Sequence, residues 1–113
     1  MATVTEHAPI PVSDAELRAL VEREPLVLVD FWAPWCGPCH AIAPVLEGLA
    51  AKHGERLTIA KVNVDEHQET ARRFSVRAIP TLVVFRDGRA VETLVGLQTR
   101  RSLDEALQRA GLE

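Results

Sequence analysis

The chain has 113 residues, with 13 Lys and Arg against 16 Asp and Glu and a formal net charge of −3. A hydrophobic fraction of 47% with 26% charged residues predicts a single globular domain over residues 1–113, with a flexible segment at residues 1–7. The slight acidity gives no footing for nucleic acid or an anionic membrane surface, and no apolar run approaches the roughly 20 residues that span a bilayer.

In chain order, the first twelve residues contain Pro9 and Pro11, so a strand there is short and lies at a sheet edge. They show no basic stretch followed by an apolar one, and the expectation is a cytoplasmic protein. Ser13 with Glu16 three positions later forms a capping box, and Leu17, Leu20 and Val21 make the stripe of a first helix ending near Pro25. Leu26–Trp32 is a nearly unbroken apolar run, the pattern of a strand buried on both faces. From Cys36 the spacing changes to helical, with Ile42, Val45, Leu46, Leu49 and Ala50 on one face and Gly54 as a C-cap. Pro44 inside this helix predicts a kink rather than a break.

Leu57–Val64 is a third strand, rich in β-branched residues, and Asp65 with Gln68 opens a short polar helix through Phe74. Thr81–Phe85, a tight turn at Asp87-Gly88 and Ala90–Val95 read as a hairpin. Gly96 ends it, and Thr99 or Ser102 caps a last helix with Leu103, Ala106, Leu107 and Ala110 on one face. Crossover units followed by a hairpin imply an α/β fold with a mixed sheet covered by helices.

Both cysteines fall on the first turn of the second helix, at the carboxyl end of the buried strand, where an α/β sheet usually carries its chemistry. A bare C-x-x-C also serves as half a zinc site, with His40 as the one close additional ligand. Its position argues for redox chemistry. Unpaired N–H groups and the dipole at a helix N-terminus favour an anion, which pulls the Cys36 thiol below the free value of about 8.5. Cys36, expected to be the more exposed, is then the attacking thiolate, and Cys39, one turn inward, resolves the mixed disulfide. Gly37 and Pro38 between them offer no side-chain donor or charge, which leaves the thiolate form less stabilised and the pair a better reductant. Asp30 lies alone among apolar residues, where a carboxylate is costly unless protonated or partnered. Lys61 occupies the comparable place in the third strand. The expectation is that Asp30 has a raised pKa and exchanges a proton with Cys39, with Lys61 as its partner; the alternative is a purely structural buried network.

Val29-Asp30-Phe31-Trp32-Ala33-Pro34-Trp35-Cys36-Gly37-Pro38-Cys39, with Ala43-Pro44 behind it, resembles the active-site stretch of the thioredoxin family. Lys61-Val62-Asn63-Val64-Asp65 resembles the family's third strand, and Arg77-Ala78-Ile79-Pro80-Thr81-Leu82 its cis-proline loop. Phe85-Arg86-Asp87-Gly88 and Val95-Gly96 resemble its hairpin turn and groove glycine. The resemblance implies a thioredoxin fold, a central sheet of order 1-3-2-4-5 flanked by four helices, with Ile79–Pro80 cis beside the cysteines. It implies a protein-disulfide reductase working through a Cys36–Cys39 disulfide, with Trp35, Pro38, Ile79, Pro80 and Gly96 forming the docking surface for disulfide clients. It further implies electrons from NADPH through a flavin-containing thioredoxin reductase. The chain carries no nucleotide fingerprint of its own, so no bound cofactor is expected, and with no apolar stripe left over once the core is filled the expectation is a monomer.

Several positions depart from the family's frequent residues. His40 stands where Lys or Arg is common; it is either a solvated helix residue or a charge that titrates near neutrality. Ala78 replaces a frequent glycine, Phe74 a frequent tyrosine with only packing to do, and His53 and His67 read as surface residues. An oxidant or isomerase, or a subunit that uses the same surface without redox turnover, are the competing readings.

Overall fold

The computed structural model describes residues 7–113, so the segment expected to be flexible, residues 1–7, lies outside the described residues except for His7. The elements follow as β1 (Ile10–Pro11), α1 (Asp14–Arg23), β2 (Leu26–Trp32), α2 (Gly37–His53), β3 (Thr58–Asn63), α3 (Gln68–Arg73), β4 (Thr81–Arg86), β5 (Arg89–Val95) and α4 (Arg100–Arg109). The five strands form one sheet in the order β1-β3-β2-β4-β5, as expected. β1 and β2 run parallel to β3, and β4 runs antiparallel to both β2 and β5.

Local chemistry accounts for the boundaries. The Ser13 hydroxyl accepts the Glu16 N–H while Glu16 accepts the Ser13 N–H, so both orphan donors of the capping box are satisfied. At the hairpin, Asp87 and Gly88 have φ of 52° and 83°, the left-handed pair that two-residue turns require. Thr99, not Ser102, caps α4, accepting the Ser102 N–H at 3.0 Å. α2 runs unbroken through Pro44.

One sequence expectation fails here. α3 begins at Gln68, and its cap residue His67 makes no side-chain hydrogen bond, whereas Asp65 was expected to open the helix. The Asp65 carboxylate accepts the Trp35 indole N–H instead, and its own N–H goes to Asn63 Oδ1.

Side chains alternate across β2. Leu26 and Leu28 point into a cluster with Ile42, Leu46 and Leu49 of α2 and Leu103 and Leu107 of α4. Val27, Val29 and Phe31 point the other way, onto Leu17 and Leu20 of α1 and Phe74 after α3. Phe74 packs as expected, with ring centroids 5.9 Å from Phe31 and 5.4 Å from Phe85. By the same alternation Asp30 faces α2, the helix that carries the cysteines. Among the described residues no helix is long and apolar enough to cross a membrane.

Candidate active site

The chain leaves β2 through a turn in which the Cys36 N–H bonds the Ala33 carbonyl at 3.1 Å. Cys36 is then the N-cap of α2, with φ −90° and ψ 109°. Its Sγ takes the capping role that a serine oxygen usually fills, accepting the Cys39 N–H at 3.2 Å. Pro38, in the first helical turn, lacks a donor where no intrahelical acceptor exists for one. Cys36 and Cys39 are joined as a disulfide, with Cα atoms 5.3 Å apart. The geometry aims one N–H and a helix N-terminus at the first sulfur, the condition under which a thiolate forms at lower pH.

The exposure expected for Cys36 is not found in this oxidised pair: it is 4% exposed, against 3% for Cys39. The Ile79 carbonyl oxygen lies 3.8 Å from Cys36 Sγ, so the loop before β4 covers the sulfur.

That loop contains a cis Ile79–Pro80 bond, as expected. The Pro80 carbonyl accepts the Gly96 N–H at 2.8 Å, and Thr81 Oγ1 donates to the Ala78 carbonyl. Gly96 has φ +90°, a conformation that suits glycine and lets its backbone come against Pro80. Pro80 is buried, Ile79 half-buried, and Ala78, Gly37 and Pro38 are exposed. Trp35 is 70% exposed with its indole N–H on Asp65 at 3.0 Å. Val95 and Leu97, 62% and 59% exposed, extend this apolar rim. Neither is singled out by the sequence reading as part of the docking surface; the available signal is a pair of apolar residues flanking Gly96, Val95 at the end of β5 and Leu97 in the short connection before α4.

Asp30 is 1% exposed, and its Oδ1 has no hydrogen-bond partner among the described residues. Burial pushes its pKa up from 3.8 to about 6, opposed by the positive charge of Lys61. Lys61 is its register neighbour on β3, but the ammonium sits over the Trp32 ring, 4.3 Å from the centroid. The expected partnership is therefore one of field rather than of an ion pair. His40, exposed on α2, bonds the Pro34 carbonyl through Nε2 at 2.6 Å and meets the edge of Trp32. His53 is not the surface residue expected: it is half-buried, both ring nitrogens are shielded without partners among the described residues, and burial first, then the charge of Arg56, lowers its pKa. His67 is half-buried beside Glu66. Among the described residues no group of three or more His, Cys, Asp or Glu side chains could hold a metal ion.

The thioredoxin family model matches residues 8–109. A thioredoxin of Bacillus subtilis (strain 168) is 54% identical over 86 residues, covering 76% of this chain and 83% of its own. One from Alicyclobacillus acidocaldarius is 45% identical over 100 residues, covering 88% and 95%. Among solved structures, a mutant thioredoxin from Halobacterium salinarum NRC-1 superposes with a TM-score of 0.89 at 39% identity, covering 99% of this chain and 97% of its own.

Proposed function

The chain belongs to the thioredoxin family and is a protein-disulfide oxidoreductase, and from that premise we propose how its residues divide the work. Cys36 attacks as the thiolate: its sulfur bonds to one client sulfur, the client S–S bond breaks, and the second client sulfur leaves as a thiolate. Cys39 then loses its proton to Asp30 and attacks Cys36 Sγ of the mixed disulfide. The Cys36–client S–S bond breaks, the Cys36–Cys39 disulfide closes, and the two client thiolates take up protons from solvent to leave as a dithiol. Two electrons pass from the cysteine pair to the client. Asp30, with a pKa of about 6, is a base matched to this range, and Lys61 holds that value down from where burial alone would take it. Gly37 and Pro38 leave the reduced form without extra side-chain stabilisation, which keeps the pair a reductant. Trp35, Ile79, Pro80 and Gly96 form the client surface, and an extended client segment pairs with the backbone beside Pro80.

The whole chain, residues 1–113, acts as one domain and as a monomer whose apolar rim serves transient clients. The oxidised pair is returned to the dithiol by a thioredoxin reductase drawing on NADPH. The cytoplasm, where thiols are kept reduced, is the compartment that suits such a carrier.

The observation that carries this reading is the disulfide at the N-cap of α2 with the Cys39 N–H on Cys36 Sγ. Its test is the reduction potential of the pair, by equilibration against defined dithiothreitol buffers with Cys36→Ser as control. A potential well below the glutathione pool is expected. One well above it makes the protein an oxidant or isomerase, and overturns the reductase and compartment assignments together.

A further inference from the structure

One polar side chain reaches into the active-site turn from the helix that follows it. His40 is the fourth residue of α2, and its Nε2 stands 2.6 Å from the Pro34 carbonyl oxygen. A carbonyl only accepts, so Nε2 carries the hydrogen and donates, in the neutral ring as in the imidazolium. The side chain thereby folds back over the N-cap, much as the glutamate of a capping box does across a shorter span. Its ring is steadied by the edge of Trp32, at 6.2 Å between centroids and 79° between planes.

The carbonyl it holds is the adjustable part of the turn. Proline fixes φ at Pro34, and the Cys36 N–H closes the turn onto Ala33, so the freedom left is rotation of the Pro34–Trp35 peptide. A donor on the Pro34 oxygen fixes that rotation. It also fixes the direction in which Trp35 and Cys36 leave the turn, while Asp65 accepts the Trp35 indole N–H at 3.0 Å. The Cys36 backbone that results is the one that brings Sγ within 3.2 Å of the Cys39 N–H.

We propose that His40 is a positioning residue for the disulfide exchange: its Nε2–H clamps the Pro34 carbonyl and so keeps Cys36 Sγ on the Cys39 N–H. The proposal rests on Cys36 being the attacking thiolate. His40 acts here as a hydrogen-bond donor, because the carbonyl receives the same N–H whether or not the ring is charged.

The test compares the full chain with His40→Leu, which keeps bulk and removes the donor, and His40→Gln, which restores a neutral N–H near the Nε2 position. His40→Lys adds a charge. Two readouts are taken: the rate of insulin disulfide reduction with dithiothreitol as electron source, and the pH profile of Cys36 alkylation by iodoacetamide. A hydrogen bond of ordinary net strength corresponds to about fivefold in rate, so His40→Leu is expected to be about fivefold slower. Its alkylation midpoint moves to higher pH, and His40→Gln returns to within about twofold of the parent on the same scale. A deficit in His40→Leu that His40→Gln leaves unrepaired overturns the proposal, and His40→Lys, which carries both a donor and a charge, is read only against a Gln that does repair it. His40→Leu equal to an active parent overturns positioning alone, whereas a parent no faster than Cys36→Ser overturns the attacking-thiolate reading beneath it.

Discussion

Replacing Asp30 by Asn should turn a buried ionisation into a measurable slope in stability. The carboxyl is 1% exposed and its pKa is raised from 3.8 to about 6, by burial foremost. The unfolded chain therefore releases this proton at lower pH than the folded one. Stability from the neutral form is complete below pH 3.8 and is lost as pH rises through about 6. The loss amounts to about 3 kcal/mol, at 1.36 kcal/mol for each pH unit between the two values. Asn, similar in shape but without an ionisation, carries no such slope. The stability of Asp30→Asn relative to the parent should thus improve by more than about 2 kcal/mol between pH 4 and pH 8, a shift of roughly 1–2 M in urea midpoint. The assay is urea unfolding of both oxidised proteins at each pH. A gap that stays constant across that range, or one that closes as pH rises, refutes the reasoning.

Two further outcomes concern groups away from the sulfurs. Ser75 follows α3 with φ +57°, a left-handed conformation that costs a non-glycine residue, so Ser75→Gly should stabilise by about 0.5–1 kcal/mol after the entropy of glycine is offset; unfolding in urea checks it, and an unchanged midpoint refutes it. His53 has a lowered folded pKa, so the unfolded chain takes up its proton first and stability is lost as pH falls through about 6.5. His53→Leu should reduce the acid loss between pH 7.5 and 5, read from thermal midpoints, and an identical loss in both proteins contradicts the assignment.

Much of the fold was readable because its signals are local. β2 has the bounds of its apolar run, Leu26–Trp32, since Pro25 and Pro34 bracket it. The capping box at Ser13, and Cys36 and Cys39 at the N-cap and first turn of α2, are likewise set by neighbours within a few residues. What escaped the sequence is the choice among distant partners. Asp65 could cap α3 or receive an indole 30 residues away, and it does the second. Cys36 is covered by a carbonyl 43 residues downstream, which no local spacing reveals. His53 sits at the polar end of α2, yet the fold brings Arg100 and Asp104 of α4 near enough to act on its charge.

Lys61 shows why such choices follow from energy rather than proximity. In register it is the neighbour of Asp30, and pairing the two would bury an ammonium as well as a carboxylate. Desolvating both ions costs several kcal/mol each, a loss their attraction recovers only with further hydrogen bonds. Placing the ammonium over the Trp32 face keeps the stem packed and avoids that second burial. The consequence falls on Asp30. Out of direct contact with Lys61, it keeps the pKa of about 6 that such a contact would have lowered. A carboxylate locked to a lysine would be too weak a base to take a proton from a thiol. In the division of work proposed above, the carboxylate held clear of the lysine, costly to the fold at neutral pH, is the form suited to exchanging it.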